Sequence, residues 1–563
     1  MNSIVDFLTR NGHKNSFLFV IFLASVLQAI FTSFNTYYPH EAYYWIWSKD
    51  LSWGYYDHPP LVALLIKLGY YILPNQLGIR LPFIILYIGF VEIIFRILNV
   101  KNYYVFYAII LNVSVVGLIG IFAIPDIPLI FFTALFFLVY KQFIEKQSYG
   151  KGICLGVVMA LLLYSKYNGL LVILFVLLSN LRLLSSPKFY LACLVGLIAY
   201  LPHLYWQYEN GFPSIMFHLW ERDKFYTGEH YEIRYTLAYI GTQLLFYGPV
   251  SAILLFYYIL RSQTYNLFYK SLKFCLYGIL IFFLLYTYKS LILAQWTIMA
   301  VVPIILLAYK GAIYSKKFYR LLHILTIVSV IVSVIARISL AYAPYFNKQP
   351  SLLRDFIDLK TITNLSANMP AIFINDWKGP SLYEFYTGRQ SYSINNLYDR
   401  KNEYNYLLSE EKFWGKKVMI FEPKGQENYL NSQPLGTTQK GKILYNYYIK
   451  NNFYSFSMIK LNPTRRFIKA LPGKKVYLRL EVQNPYKLPI ETHIAKNTEI
   501  VYTISDGPLI CTSISLDAAL NNLKLDVEFE APNQTGRYIV KYGIMAPGMT
   551  PTHNSPVIIL DVI

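Results

Sequence analysis

Long apolar runs separated by short polar segments are the feature of this sequence that most restricts its fold. Each run is about the length that a helix needs to cross the ~30 Å hydrocarbon core of a bilayer. The 563-residue chain is 55% hydrophobic and only 15% charged, which is too apolar for a soluble multidomain protein. We therefore predict an α-helical polytopic membrane protein.

The apolar runs predict about 11 to 13 transmembrane helices. The runs lie near residues 16–34, 80–98, 103–122, 126–143, 152–165, 167–181, 188–206, 236–260, 272–288, 291–309 and 320–343. The run at 61–73 is short and carries Lys67, so we predict an interfacial or re-entrant helix there. We interpret the first run as an anchor, because it lacks a convincing cleavage site for a signal peptidase.

Basic and acidic residues occupy alternate loops, which predicts an orientation. Lysine and arginine cluster in every second loop, as at 141–151 and 310–320, whereas Glu41, Asp57 and Asp126 fall in the others. By the positive-inside rule, the N-terminus is cytoplasmic, and the first loop and the C-terminal part are extracytoplasmic. The basic residues that give the net charge of +20 are then explained by their role in membrane orientation. This argues against nucleic-acid binding.

The composition changes after about residue 344, where no further run could span a membrane. We predict a transmembrane domain at 1–343 with its first external loop at 35–79, followed by two soluble domains. Strand-like AIFIND and KVMIFEP with helix-like PSLYEFYTG predict an α/β domain at 344–454. Alternating strands such as KVYLRLEVQ predict a β-sandwich domain at 455–563.

The first external loop carries the groups that most resemble a site. Its segment YYPHEAYYWIWSKDLSWGYYDHPPL, at 37–61, holds the polar pairs His40-Glu41 and Asp57-His58 among many aromatic residues. Carboxylates and imidazoles beside a membrane can move protons or hold a cation. We therefore predict a substrate site at this loop.

This loop resembles the first external loop of the PMT-like glycosyltransferases, family 39 and its bacterial relatives, which include the lipid A aminoarabinose transferase. Three later stretches are similar to the same family: AIPDIPLIFF, LYSKYNGLL and PHLYWQYENGFPSIMFHLWER. The resemblance implies a C-type glycosyltransferase fold in a bacterial inner membrane. It also implies an inverting transfer of a sugar from a polyprenyl-phosphate donor to an extracytoplasmic acceptor, which is lipid A, a glycan or a protein.

The resemblance assigns the acid–base residues. The family loop opens with an Asp-Glu pair whose Asp acts as the base, and here His40 stands at that position, followed by Glu41. Either Glu41 or His40 is then the base, or the protein is a weakened or inactive relative. The alternative role for Glu41 itself is that of an interfacial anion that pairs with a lysine or an arginine. Asp126 is either a second, acceptor-side carboxylate or the N-cap of the next helix.

The resemblance also assigns the donor site. Lys166 matches a lysine near the donor phosphate, and Arg80 serves either that phosphate or a loop carboxylate. Arg222 is a further phosphate candidate in the long loop, which also holds Trp206, Asn210, Ser214 and His218. Asp57, with His58, either binds a divalent metal ion or forms a rigid turn in which Asp57 caps the next helix.

Two other functions stay open on the sequence alone. A transporter or flippase of lipid-linked sugars would carry ionisable residues at helix midpoints, whereas here they cluster at the outer ends. A non-catalytic membrane scaffold would fit the histidine at position 40.

Overall fold

The computed structural model describes residues 2–35, 38–218, 231–262, 266–313, 319–342, 359–407, 410–423, 433–435 and 445–563. Two compact units divide the chain, the first at Met1–Arg354 and the second at Asp355–Ile563. The predicted division of the second unit into two domains at residue 455 stays a prediction.

The first unit is helical. Its helices are α1 Asn2–Asn35, α2 Pro39–Lys49, α3 Leu61–Ile72, α4 Gln76–Leu98, α5 Tyr103–Asn112, α6 Ser114–Ile119, α7 Asp126–Glu145, α8 Tyr149–Ser165, α9 Gly169–Ser179, α10 Pro187–Glu209, α11 Pro213–Met216, α12 Ile233–Tyr247, α13 Ala252–Arg261, α14 Leu267–Tyr286, α15 Val301–Ala312 and α16 Tyr319–Tyr342. Short 3-10 helices at Leu181–Ser185 and Ala294–Ala300 join them.

Within the described residues, seven helices are long and apolar enough to cross a membrane, and α12 with α13 forms an eighth candidate bent by 87°. The shorter apolar helices are α3, α5, α8 and α9. The prediction of a multi-pass α-helical membrane protein is therefore confirmed.

Three predicted spans are not the continuous α-helices that the sequence predicts. The run at 103–122 is broken between α5 and α6 at Val113, and the run at 236–260 is broken between α12 and α13. The second break contains Gly248-Pro249, and proline lacks the N–H that would continue a helix. The run at 291–309 contains a 3-10 helix at Ala294–Ala300, and the α-helix α15 follows it.

Asn112, the last residue of α5, is fully buried at the first of these breaks. Its side-chain Nδ2 donates to Thr326 Oγ1 at 2.7 Å, and its Oδ1 accepts from Ser329 Oγ at 2.8 Å. Its main-chain oxygen accepts from Ser251 Oγ, which lies beside the second break. Polar groups at both breaks are therefore paired inside the protein, as an apolar surrounding requires.

The second unit begins with a five-stranded sheet in the order β2-β1-β3-β5-β4. Its strands are β1 Ala371–Ile374, β2 Ser391–Ile394, β3 Val418–Pro423, β4 Gln433–Pro434 and β5 Tyr445–Lys450, with β1 parallel to both β2 and β3. Helices α17 Leu359–Ser366 and α18 Lys378–Thr387 accompany the sheet. Strands and helices alternate along the chain here, which is the pattern of an α/β arrangement.

The rest of the second unit is rich in β-strands. A sheet ordered β10-β9-β12-β14-β7, with β13 on β12, accompanies a smaller sheet ordered β11-β8-β6. The strands are β6 Lys460–Pro463, β7 Phe467–Ala470, β8 Lys475–Gln483, β9 Glu499–Ile504, β10 Ile510–Ser515, β11 Lys524–Glu530, β12 Gly536–Met545, β13 Thr552–His553 and β14 Ile558–Val562. Strands β8 and β11 alternate buried and exposed residues, so the smaller sheet buries one face. The helical membrane part and a C-terminal part with an α/β segment and β-sheets agree with the predicted fold class.

Candidate active site

The first loop folds into helix α2 and a following coil. Pro39 occupies the first turn of α2, where a missing N–H costs nothing. The residues from Glu41 to Ser48 are buried, whereas His40 is exposed. Helix α2 therefore places Glu41 inside the protein and its neighbour His40 at the surface.

Glu41 forms a buried ion pair with Arg80 of α4. Arg80 Nε donates to Glu41 Oε1 at 2.9 Å, and Nη2 donates to Oε2 at 2.6 Å. The Ala123 N–H also donates to Oε1, at 2.8 Å. The remaining guanidinium nitrogen donates to Thr32 Oγ1 and to the Ala29 carbonyl of α1. Of the two predicted roles for Arg80, this geometry favours binding to a loop carboxylate over binding to phosphate.

Asp126 and Lys166 form a second ion pair. Lys166 Nζ lies 2.9 Å from Asp126 Oδ1, and both side chains are about one-tenth exposed. Lys166 falls in the break between α8 and α9, as the sequence predicts. Asp126 is the first residue of α7, and the N-cap is Pro125 without a side-chain hydrogen bond, so the N-cap interpretation of Asp126 is wrong.

The two ion pairs lie close together around two tyrosines. The loop residue Ala123, which binds Glu41, precedes Asp126 by less than one helical turn. Burial raises the pKa of the Tyr38 phenol to about 12, and the charges of Glu41, Arg80 and Asp126 also act on it. Burial likewise raises the pKa of Tyr44, and the charges of Asp57 and Asp126 raise it further. Both phenols are therefore neutral.

His40 lies at the edge of this cluster. Its ring centre is 6.1 Å from that of Tyr38 and 6.4 Å from that of Tyr44. The His58 ring lies 6.0 Å from the Tyr44 ring. Tyr44 is thus close to a histidine of each polar pair that the sequence singled out.

Asp57 and His58 precede Pro59-Pro60 in the coil before α3. The N-cap of α3 is Pro60, without a side-chain hydrogen bond, so Asp57 does not cap that helix and the capping prediction is wrong. Among the described residues, no group of three or more His, Cys, Asp or Glu side chains could hold a metal ion. The metal predicted at Asp57 and His58 stays a prediction.

The sequence predicts a long loop over 202–222, but its first part, with His203, Trp206 and Gln207, is the end of α10. This end of α10 and the segment after it pack on the first loop through a buried polar network. His203 Nδ1 lies 2.7 Å from the Trp53 carbonyl and its Nε2 lies 3.1 Å from Tyr167 Oη. Gln207 Nε2 donates to Tyr167 Oη and to Ser214 Oγ, and Ser214 Oγ donates to the Tyr55 carbonyl. The network connects the first loop to Tyr167, the neighbour of Lys166.

The remaining candidates in that loop have structural contacts. Trp206 packs against the first loop so closely that a Cβ on Gly54 would lie 2.3 Å from its ring, which requires glycine there. Asn210 Nδ2 donates to the Trp206 carbonyl, and His218 Nε2 lies 3.3 Å from the Asp57 carbonyl. Arg222 lies outside the described residues.

Sequence reasoning missed four members of this arrangement: Tyr44, Tyr167, His203 and Gln207. His203 and Gln207 stand four residues apart on an apolar helix, a spacing that places two polar side chains on one face. Tyr44 follows Glu41 by three residues on α2. Helical periodicity could therefore have indicated three of the four.

A family model matches part of the first unit. Residues 57–206 match the family described as dolichyl-phosphate-mannose-protein mannosyltransferase. The chain is similar to the PMT-type glycosyltransferases. The match includes Asp57, Arg80, Asp126 and Lys166, and the predicted resemblance is confirmed.

One curated relative is the lipid A galacturonosyltransferase RgtD of Rhizobium johnstonii, 24% identical over 193 residues. The matched segment is 32% of this chain and 40% of RgtD, so the chain spans about two-fifths of the length of that relative.

Two crystal structures of ArnT from Cupriavidus metallidurans share the fold. The apo form has a TM-score of 0.55 at 11% identity, covering 77% of this chain and 98% of ArnT. The form bound to undecaprenyl phosphate has a TM-score of 0.52 at 13% identity, covering 76% and 97%. The predicted C-type glycosyltransferase fold is therefore confirmed.

Proposed function

We propose that this protein is an inverting glycosyltransferase that moves a sugar from a polyprenyl phosphate to an extracytoplasmic acceptor. The observation that carries the proposal is the cluster of two ion pairs, Glu41–Arg80 and Lys166–Asp126, around Tyr38 and Tyr44. One of the two ArnT structures is bound to undecaprenyl phosphate, which supports a polyprenyl-phosphate donor for a chain with the same fold.

In this mechanism the acceptor oxygen attacks the anomeric carbon while the bond from that carbon to the phosphate oxygen breaks. His40, which is exposed, receives the acceptor proton. The leaving phosphate gains negative charge, which the Lys166 ammonium stabilises. Because Glu41 is held by Arg80 and by the Ala123 N–H, it acts as a positioning residue that fixes the loop beside His40.

The divalent cation that the sequence predicts at Asp57 and His58 remains a prediction. When bound, such an ion would neutralise charge on the leaving phosphate. The described residues provide Asp57 and His58 but no third acidic, histidine or cysteine ligand with them. Proton transfer and charge stabilisation are therefore assigned to His40 and Lys166 alone.

The acceptor and the compartment are part of the proposal. RgtD is named for lipid A, which supports a lipid A-type acceptor over a glycan or a protein. The alternation of basic and acidic loops supports a cytoplasmic N-terminus in the bacterial inner membrane, with the first loop and the second unit extracytoplasmic.

Transfer with defined substrates tests the proposal. Purified protein in nanodiscs is incubated with undecaprenyl-phosphate sugars and lipid A, and glycosylated lipid is followed by mass spectrometry. A product of inverted anomeric configuration is expected with at least one sugar, and much less of it with Lys166→Met at donor concentrations below the parent's KM. Donor transport across a vesicle bilayer without any transfer would favour a flippase, and donor binding without transfer or transport would favour a scaffold.

A further inference from the structure

The second unit contains a cavity of about 310 Å³ that the transfer reaction does not use. It lies at the carboxyl ends of the parallel strands β1, β2 and β3, beside the start of β5. Residues lining it include Asn375, Asp376, Trp377, Asp399, Arg400 and Tyr445.

The position of this cavity follows from the strand order. The chain runs from β1 to its neighbour β2, then crosses β1 to place β3 on the other side. The loops after β1 and β3 therefore diverge and leave a crevice between them. In open parallel sheets, ligands bind in such crevices at the carboxyl ends of the strands.

The wall of the cavity after β1 is held rigidly. Both Asp376 oxygens accept main-chain hydrogen bonds, from the Lys378 N–H at 2.8 Å and the Gly379 N–H at 2.9 Å, and Tyr445 Oη also donates to this carboxylate. Asn375 has a φ of 53°, a left-handed conformation that costs energy for a residue with a Cβ. Its side-chain oxygen accepts from the Asn396 N–H, which joins the β1 and β2 loops.

The wall after β2 is supported by a layer of buried amides. Asn402 Nδ2 donates to Asn395 Oδ1 at 3.1 Å, and the Asn402 N–H donates to Asn405 Oδ1 at 3.0 Å. Asn395 Nδ2 also donates to Asn405 Oδ1. Interlocked amides of this kind fix the loop that carries Asp399 and Arg400. A preorganised polar wall lowers the entropic cost of binding a polar ligand.

We propose that this cavity binds a sugar ring of a carbohydrate. Two carboxylates, of Asp376 and Asp399, face two cations, of Lys378 and Arg400, so the lining has no net charge that would select a phosphate or a metal ion. Amide and carboxylate side chains suit the neighbouring hydroxyl groups of a sugar. Trp377 and Tyr445 offer apolar ring surface for its C–H groups.

The volume agrees with such a ligand. About 300 Å³ is the lower end of the range for small-molecule sites, which suits one or two sugar rings. The inference goes beyond the proposed transfer reaction and does not rest on it, because every lining residue belongs to the second unit.

Saccharide binding to the full chain in nanodiscs, without lipid donor, tests this proposal. Methyl glycosides of glucose, galactose, N-acetylglucosamine and galacturonic acid are titrated to about 50 mM and followed by saturation-transfer-difference NMR. A dissociation constant of about 1 mM is expected for at least one of them. Trp377→Ala and Asp399→Asn should each weaken binding at least tenfold, whereas Tyr477→Ala, which removes an exposed ring on β8, should leave it unchanged.

A second titration tests which kind of molecule supplies the sugar ring. The oligosaccharide released from a lipid A-type glycolipid is titrated beside the methyl glycosides. Tighter binding of the oligosaccharide would support an acceptor sugar as the ligand, and equal binding would support any single ring.

The pocket variants and a competing anion are the controls for this proposal. Should Trp377→Ala lower the thermal midpoint strongly, the more conservative Asp399→Asn carries the comparison. The proposal is overturned if no saccharide gives a saturable signal, or if folded pocket variants bind as the parent does. It is also overturned if about 10 mM inorganic phosphate displaces the glycoside, which would identify an anion site.

Discussion

Arg80 binds the Glu41 carboxylate through two nitrogen atoms, Nε and Nη2, and neither side chain is more than 1% exposed. The Glu41 carboxylate of the first loop is therefore bound inside the protein by a residue of α4. A buried carboxylate with this many charge-assisted donors has a fixed position. Its neighbour His40 is exposed and is the residue that we propose as the base.

Glu41→Gln is expected to destabilise the protein as well as to inactivate it. Removing one partner of a buried ion pair leaves an uncompensated charge, which costs about 3–5 kcal/mol. The thermal midpoint and the transfer rate of the variant should both fall. Glu92→Gln, which removes a more exposed pair with Lys14, is the matched control and should change both by little. A Glu41→Gln protein with the parent's midpoint and no activity would return the role of base to Glu41.

His40→Ala should lower kcat by about 10²–10⁴-fold with little loss of stability, because the side chain is exposed and its proposed role is proton transfer. His40→Asp restores the residue of the family pattern and should keep transfer within about tenfold of the parent. Added imidazole should partly rescue His40→Ala. Full activity of His40→Ala would exclude this histidine as the base.

Lys166→Met should raise the KM for the lipid donor about ten- to a hundredfold, since a hydrogen bond to a charged group contributes about 1.5–3 kcal/mol. The KM for the acceptor should change much less. Lys67→Met, which removes an exposed lysine from α3, is the control. Equal effects on both substrates would indicate that Lys166 only anchors Asp126.

Chelation and Asp57→Asn together test the predicted metal. If a cation bound at Asp57 assists the donor phosphate, chelator should raise the donor KM of the parent and add little to that of Asp57→Asn. Donor titrations of both proteins with and without chelator measure this. A parent that is indifferent to chelator, together with a near-silent Asp57→Asn, would remove the metal from the mechanism.

The second unit should become less stable as pH rises, because its folded state holds a proton on the Glu410 carboxyl. Burial raises the pKa of this carboxyl to about 7, although Ser455, Ser457 and the Met458 N–H donate to it. A folded pKa above the unfolded value means that the folded state holds the extra proton. The resulting stability is therefore complete below about pH 4.5 and is lost as pH approaches 7, a change of about 3 kcal/mol at most.

Hydrogen exchange of the peptide around Met458 in the full chain, measured from pH 5 to 8, follows this change. After correction for intrinsic exchange, opening should become easier with rising pH in the parent. The dependence should be weaker in Glu410→Gln. The exposed Glu481→Gln is the control and should behave as the parent does.

The membrane class and much of the candidate site could be predicted from sequence, because apolar length and charge placement act locally. The break that holds Lys166 and the helix start at Asp126 follow from nearby residues. Arg80, the partner of Glu41, is 39 positions away in the sequence. The sequence therefore left open whether Arg80 binds a loop carboxylate or the donor phosphate. The break at Val113 has no glycine or proline beside it, so no local signal marked it. The Tyr167–His203–Gln207 network depends on tertiary packing of two segments, the break after α8 and the end of α10.

Asn112 has a consequence for how the chain is made. Its main-chain oxygen is bound by a residue 139 positions later, and its side-chain oxygen by one 217 positions later. During synthesis the ribosome produces α5 long before Ser251 and Ser329. The hydrogen bonds of Asn112 can therefore be complete only when α16, the last helix of the first unit, is in place.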